Sequence, residues 1–264
     1  MKINKSIRTQ LQGYESIEER LDFLKGMFKN DTAYLISCGP SLTTHNKQIL
    51  HDKLKDKLVI CAKQSLNYFN NICDIHLVST YNFQPYIYEN DATIKSFQLT
   101  ACNMEDELYR ITQKWNHEID LYFPVISGPW ITLEGSTAYT RNFDNWKQLG
   151  SNTQVMWGPG ILYESGFPMC YLLGVKRIVT IGWDIGDISR YKGQDRDPNW
   201  IEQHATELYN AGVGKGPSYT ELKNTIECTS AMYDWFKKEN IQVQIISDTN
   251  PADKRFERIT INEI

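Results

Sequence analysis

The sequence has no long apolar run, no excess of basic residues and no secretory leader. No apolar stretch approaches the roughly 18 residues that a membrane-spanning helix needs, and the first residues lack the apolar segment of a signal peptide. Lys and Arg number 28 against 32 Asp and Glu, a formal net charge of -4, which argues against a nucleic-acid binder. We therefore expect a cytoplasmic protein without a nucleic-acid partner. Peripheral association with the inner face of the membrane stays open.

The six cysteines form no C-x-x-C pair and have no zinc-type spacing with histidine. Cys61, Cys73 and Cys170 lie inside apolar runs, which is typical of buried, reduced thiols. This usage predicts a reducing compartment. We also expect neither a bound metal nor another cofactor.

Short apolar runs alternate with helical patterns along most of the chain. Strands are predicted at 32–37, 58–62, 75–79, 97–101, 119–125, 153–157, 177–181 and 241–246. Helices are predicted at 14–29, 43–54, 161–173 and 218–239. Ser41 or Thr43 is the expected cap of the second helix, and Gly174 the end of the third. The alternation predicts an α/β fold with a Rossmann-like, mostly parallel sheet flanked by helices. The length suits a single domain over 1–264, with 126–152 and 185–217 as candidate lid segments.

Two glycine turns each follow a predicted strand and precede a predicted helix. They are Cys38-Gly39-Pro40-Ser41-Leu42 and Gly158-Pro159-Gly160. Ligands of open α/β sheets bind outside the carboxyl ends of the strands, where helix N-termini present N–H groups to anions. We therefore predict a ligand site there, although the glycines could equally relieve crowding between strand and helix. On the first interpretation, valine at position 39 removes ligand binding and leaves the fold intact.

A third turn, Gly182-Trp183-Asp184, ends another predicted strand. A carboxylate at that position suits a hydrogen bond to a ribose or acceptor hydroxyl. It suits the capping of the following segment equally well.

Together these segments resemble a known group of proteins. Residues 36–42 resemble the nucleotide loop of bacterial sialyltransferases of the Campylobacter lipooligosaccharide type. Residues 165–184 resemble their segment helix-Gly-x-Lys-x-Ile-strand-Gly-x-Asp. The chain is also similar to the related motility accessory factors and to archaeal 6-hydroxymethylpterin pyrophosphokinases. The resemblance covers about 32–85 and 153–250.

The resemblance implies a metal-independent, inverting glycosyltransferase. Its donor would be a CMP-activated acidic sugar of the sialic-acid or another ulosonic type, and its acceptor a glycan or other hydroxyl. CMP carries a single phosphate, so helix N-termini and hydroxyls can replace the metal that a diphosphate often needs. Whether the chain forms a homo-oligomer stays open.

Two alternatives remain. One is a pyrophosphokinase-like Mg-ATP enzyme that would use Asp184, Asp187, Asp195 and Asp197. The pair Asp195 and Asp197 has a metal-binding D-x-D form, but its polar surroundings favour a solvated loop. The other alternative is a non-catalytic nucleotide-binding protein.

The candidate substrate-binding residues follow the predicted strands. They are Cys38, Gly39, Pro40, Ser41, Lys63, Gln64, Ser79, Gly158, Gly160 and Asp184. The related proteins have Asn at the positions of Cys38 and Lys63, and a catalytic histidine before the last long helix that is missing here. His204, with a reference pKa of about 6.5, is therefore the candidate base and Asp187 the next. Tyr191 is the candidate to steady the leaving phosphate.

Overall fold

Nine parallel strands form one sheet in the part of the chain that this computed structural model describes. That part comprises residues 1–79, 86–100, 104–115, 117–126, 136–148, 155–156, 160–185, 219–247 and 250–264. The strands are β1 (Thr32–Ile36), β2 (Leu58–Ala62), β3 (Ile75–Ser79), β4 (Ile94–Thr100), β5 (Leu121–Ile126), β6 (Val155–Met156), β7 (Arg177–Ile181), β8 (Gln242–Ile246) and β9 (Glu257–Arg258). Their order is β6-β5-β4-β3-β2-β1-β7-β8-β9, and every neighbouring pair is parallel. The predicted Rossmann-like α/β fold is confirmed.

The central strands are buried on both faces, because helices cover both sides of a parallel sheet. Every residue of β2 is buried. In β1, Ala33 and Leu35 belong to one apolar cluster, whereas Tyr34 and Ile36 belong to the cluster on the opposite face. Two-sided burial explains why these strands read as continuous apolar runs.

Eight α-helices flank the described sheet. They are α1 (Lys5–Gln12), α2 (Ile17–Leu24), α3 (Lys47–Leu54), α4 (Leu66–Phe69), α5 (Met104–Lys114), α6 (Thr137–Thr140), α7 (Phe167–Leu172) and α8 (Tyr219–Lys238). The predicted helix 218–239 is confirmed as α8. The predicted helix 14–29 is shorter as α2, because Ser16 and Glu19 form a capping box at its start. After Leu24 the chain turns, and the Gly26 N–H donates to the carbonyl of Leu172 at 2.8 Å.

The start of α3 differs from the sequence prediction. The cap is Asn46 rather than Ser41 or Thr43, since its side chain accepts from the N–H groups of Gln48 and Ile49 at 3.0 and 3.1 Å. Residues Pro40–Thr44 form a separate 3-10 helix. The predicted helix is therefore two short elements.

A π-helical turn, Leu162–Gly166, precedes α7. The N–H of Phe167 donates to the carbonyl of Leu162, five residues back. Pro168 accounts for the widened turn, because it has no N–H to donate to the carbonyl of Glu164 and its ring would crowd that carbonyl in an α-helix. The helix ends before Gly174, which has a φ of 77°, as predicted.

A buried carboxylate ties the start of the chain to the sheet. The Asp74 side chain accepts from the N–H groups of Ile3 at 3.0 Å and Val59 at 2.8 Å, and it lies 3.1 Å from the Lys2 ammonium. Burial raises the pKa of Asp74 to about 6. The N-terminal segment is thus fixed at the edge where the strands begin.

Candidate functional site

The order of the strands creates a switch point between β1 and β7. Strands β1 to β6 follow one another away from β1 in one direction, whereas β7, β8 and β9 lie on its other side. In open α/β sheets the ligand crevice lies at such a point, outside the carboxyl ends of the strands. We call that edge the carboxyl edge. The turn 38–42 follows β1 and the turn 182–184 follows β7, so two of the predicted site segments are neighbours there.

The two turns touch through their backbones. The N–H of Gly39 donates to the carbonyl of Gly182 at 3.0 Å. A Cβ on Gly39 would lie 2.3 Å from that carbonyl oxygen, and a Cβ on Gly182, which has a φ of 69°, would lie 2.5 Å from the carbonyl oxygen of Ser37. Both glycines are therefore required by the close approach of the turns, whatever ligand binds beside them.

A carboxylate occupies the start of the 3-10 helix Pro40–Thr44. The N–H of Ser41 donates to Oδ2 of Asp184 at 2.6 Å. The Ser41 N–H is therefore occupied by a carboxylate of the chain itself, and Ser41 lies in a 3-10 helix rather than at the cap of an α-helix. Asp184 Oδ1 and the hydroxyl oxygen of Ser41 are both buried, and neither has a hydrogen-bond partner among the described residues.

The turn after β2 lies beside the turn after β1. The Ser65 hydroxyl is 2.9 Å from the carbonyl oxygens of both Ile36 and Ala62, which connects the ends of β1 and β2. Lys63 has a φ of 53°, a left-handed conformation that Asn tolerates better than Lys. Gln64 Nε2 is buried without a partner in the described ranges.

His76 supports the turn after β2 from inside the sheet. It is fully buried, as its place in a predicted strand suggested. Its Nε2 lies 2.9 Å from the Lys63 carbonyl oxygen, and its Nδ1 lies 2.7 Å from the Tyr88 hydroxyl. Burial lowers the pKa of His76 to about 3, so the imidazole is neutral at physiological pH.

The remaining predicted site residues divide into two groups. Ser79 is the last residue of β3, Gly160 precedes the π-helical turn with a φ of 116°, and Cys38 is an exposed, free cysteine. Gly158, Asp187, Tyr191 and His204 lie outside the described residues, and so do Asp195 and Asp197.

Sequence reasoning missed a polar pair, Gln98 and Glu164. Gln98 lies near the carboxyl end of β4, and its Nε2 donates to Oε2 of the buried Glu164. The available signal was a single acidic residue inside the apolar segment 161–173. A strand-to-helix contact across 66 residues of sequence has no local signature.

The described ranges contain neither a helix suited to crossing a membrane nor a side-chain cluster suited to holding a metal ion. No helix there is long and apolar enough to cross a membrane. The described His, Cys, Asp and Glu side chains include no group of three placed to hold a metal ion. The cysteines Cys38, Cys61, Cys73, Cys170 and Cys228 are free, and all of them except Cys38 are buried.

Two solved structures are similar to this Rossmann-like chain. Both are of the sialyltransferase CstII from Campylobacter jejuni, one in complex with the substrate analogue cytidine-5'-monophosphate and one with CMP-3FNeuAc. The first is 14% identical, with a TM-score of 0.42 and coverage of 88% of this chain and 86% of that chain. The second is 12% identical, with a TM-score of 0.41 and coverage of 87% and 85%.

Similarity at this level carries no information about activity. No protein-family model and no curated protein matches the chain. The resemblance to motility accessory factors and pyrophosphokinases stays a prediction.

Proposed function

We propose that this protein is a glycosyltransferase that takes an acidic sugar from a CMP-activated donor and transfers it to a hydroxyl of a glycan or other acceptor. One observation carries the proposal. At the carboxyl edge, three buried polar atoms lack partners among the described residues, namely Ser41 Oγ, Gln64 Nε2 and Asp184 Oδ1. A buried polar atom left unpaired costs about 1–3 kcal/mol. A polar ligand that pairs with these atoms therefore binds with a gain in stability.

The charges at the site suggest how the donor is oriented. The Asp184 carboxylate repels a phosphate, so its free oxygen suits a ribose hydroxyl, which can donate to it. The Lys63 ammonium is a cation at the end of β2, and it suits the donor phosphate. Ser41 and Gln64 supply neutral donors next to these two charges. A monophosphate needs little more positive charge than this, which is why we propose transfer without a metal.

The proposed chemistry is an inverting substitution. The acceptor hydroxyl oxygen forms a bond to the anomeric carbon on the face opposite the phosphate, the carbon–oxygen bond to CMP breaks, and CMP leaves with the bonding electrons. The acceptor proton passes to a base. We propose His204 for that role, with Asp187 next, and Tyr191 as the donor of a hydrogen bond to the leaving phosphate. Replacing His204 by Ala should lower turnover about 10²-fold or more and leave donor affinity unchanged.

Thermal unfolding with a panel of nucleotides tests the proposal. CMP in the presence of EDTA should stabilise the protein by about 2.7 kcal/mol at a hundredfold excess over its Kd, and UMP, AMP and GMP should stabilise it less. The variants Ser41→Ala and Gln64→Leu should weaken CMP binding. Thr137→Val is the matched control, because it also removes a buried hydroxyl without a partner among the described residues, on α6, which packs against α8.

Other results of the same measurements would favour other functions. Stabilisation by ATP with Mg²⁺ alone would favour a pyrophosphokinase-like enzyme. CMP binding without sugar transfer from a CMP-sugar would favour a non-catalytic nucleotide-binding protein. No stabilisation by any nucleotide would remove the proposal.

A further inference from the structure

Lys63 stands in a backbone conformation that its side chain disfavours. A φ of 53° places it in the left-handed region, which costs most residues roughly 1–2 kcal/mol. Such residues persist only where their surroundings fix them, and they concentrate at ligand sites. Specific contacts must therefore hold the backbone of Lys63 in this left-handed conformation.

His76 provides one of these contacts, a hydrogen bond to the Lys63 carbonyl in which the donor can be identified. The carbonyl oxygen of Lys63 can only accept, so His76 Nε2, at 2.9 Å, must carry the proton. Because the ring is neutral, Nδ1 then carries none, and it accepts from the Tyr88 hydroxyl at 2.7 Å. The hydroxyl of Tyr88 thus selects the tautomer in which His76 can bind Lys63.

Tyr88 is itself held between charged and aromatic groups. The Lys95 ammonium lies 4.7 Å from the centre of the Tyr88 ring, and the rings of His117 and Trp115 lie 4.9 and 6.2 Å away at steep angles. Burial raises the pKa of Tyr88 above its ordinary value, so its hydroxyl keeps its proton.

Ser65 fixes the other end of the turn. Its hydroxyl lies within 2.9 Å of the carbonyl oxygens of Ile36 and Ala62. The residue before Lys63 and the residue two positions after it are thereby held to the end of β1. His76 adds the contact at Lys63 itself.

We infer that His76 is a positioning residue that, through the carbonyl of Lys63, holds the Lys63 ammonium at the carboxyl edge, where it binds the phosphate of the donor nucleotide. The inference rests on the proposed function. His76 is fully buried and acts on the ligand only through Lys63.

A double-mutant cycle separates positioning from simple packing. His76→Leu removes the donor to Lys63, whereas His76→Gln keeps an N–H at a similar reach. Lys63→Met removes the charge and keeps most of the apolar stem. The measurement is the Kd of CMP by calorimetry for the wild type, the three single variants and the double variant His76→Leu with Lys63→Met. Cytidine, which lacks the phosphate, is the second ligand.

Loss of a charge-assisted contact corresponds to about a tenfold or larger change in affinity. Lys63→Met and His76→Leu should each weaken CMP binding about tenfold, and the double variant should bind like Lys63→Met alone. His76→Gln should bind nearly as the wild type does, and cytidine should bind all variants equally. If His76→Leu does not fold, Tyr88→Phe replaces it and should weaken CMP binding in the same Lys63-dependent manner.

Three results would overturn the inference. Equal losses from His76→Leu with and without the Lys63 charge would show that His76 acts on the fold as a whole. Equal losses for cytidine would show that no phosphate contact is involved. Failure of the wild type to bind CMP would remove the proposed function together with the inference, whereas CMP binding with additive losses would remove the inference alone.

Discussion

The backbone N–H of Ser41 donates a hydrogen bond to Oδ2 of Asp184 over 2.6 Å, joining two turns 143 residues apart in the sequence. The same turns are joined by the bond from Gly39 N–H to the Gly182 carbonyl. The candidate ligand site is therefore built on a junction that also holds β1 against β7. Substitutions here change stability and ligand binding together, and each variant needs both measurements.

The first prediction concerns Gly39→Ala. The new Cβ would lie 2.3 Å from the Gly182 carbonyl oxygen and 2.7 Å from Asp184 Oδ2, and a backbone carbonyl cannot move aside without disturbing β7. We expect a loss of at least about 2 kcal/mol in the free energy of unfolding, measured in urea. The same contacts argue against the expectation that valine at position 39 leaves the fold unaffected.

Gly13→Ala is the control for this substitution. Gly13 has an ordinary φ of -71°, and its nearest new contact would be 3.2 Å away. For Gly13→Ala we expect the free energy of unfolding to change by no more than about 1 kcal/mol. Equal effects at the two positions would contradict the importance of the junction.

The second prediction separates stability from binding at Lys63. Lys63→Asn should relieve the left-handed conformation and stabilise the fold by about 0.5–1 kcal/mol, while CMP binding weakens about tenfold because the ammonium is removed. Arg141→Asn is the matched control, since Arg141 has a φ of 52°. The substitution Arg141→Asn also removes an exposed ion pair with Glu227, which contributes little to stability.

The expected measurements for this pair are urea unfolding and calorimetry. Both variants should be at least as stable as the wild type, and only the Lys63 variant should lose CMP affinity. Destabilisation by Lys63→Asn would mean that the lysine stem makes packing contacts that outweigh the backbone strain.

The third prediction is that two buried groups make opposite contributions to the pH dependence of stability. The pKa of Asp74 is raised from 3.8 to about 6 by burial, so its contribution is present below pH 3.8 and is lost as pH rises through about 6. The pKa of His76 is lowered from 6.5 to about 3 by burial, so its contribution is present above pH 6.5 and is lost as pH falls toward 3. Because one pKa unit corresponds to about 1.4 kcal/mol, the contributions of Asp74 and His76 to the free energy of unfolding are on the order of 3 and 5 kcal/mol.

Urea unfolding between pH 4 and pH 7 distinguishes the two groups. Relative to the wild type, Asp74→Asn should gain about 3 kcal/mol as pH rises over this range. His76→Gln should gain about 3 kcal/mol as pH falls over it. Curves that run parallel to that of the wild type would show that neither group titrates with folding.

The sequence predicts the sheet better than it predicts the site. Strands buried on both faces, such as β2, appear as apolar runs because no polar alternation is needed. The helix at Pro40–Thr44 could not be placed, because its geometry depends on Gly182, far along the chain. The π-helical turn has a local cause in Pro168, but an apolar segment with one proline reads equally well as the first turn of an α-helix.

The contacts of the candidate site are mostly between distant segments. The position of His76 in the predicted strand 75–79 is consistent with its burial, but nothing local showed that it faces Tyr88 and Lys63. Asp184 was recognised as a carboxylate at a strand end, but its partner is the backbone of Ser41, which has no side-chain signature. Residue types and strand ends are local properties, whereas these bonds exist only once the sheet is assembled.

The late arrival of β7 beside β1 has a consequence for synthesis on the ribosome. Strand β1 lies between β2 and β7, so one of its edges has no partner until residues 177–181 emerge. At about 5–20 residues per second, the interval of 143 residues between Ser41 and Asp184 corresponds to roughly 7–30 s. During that time a central, strongly apolar strand presents open hydrogen-bonding groups, the kind of edge that promotes association between nascent chains. Yield should therefore depend on expression temperature and on chaperones that bind extended apolar segments.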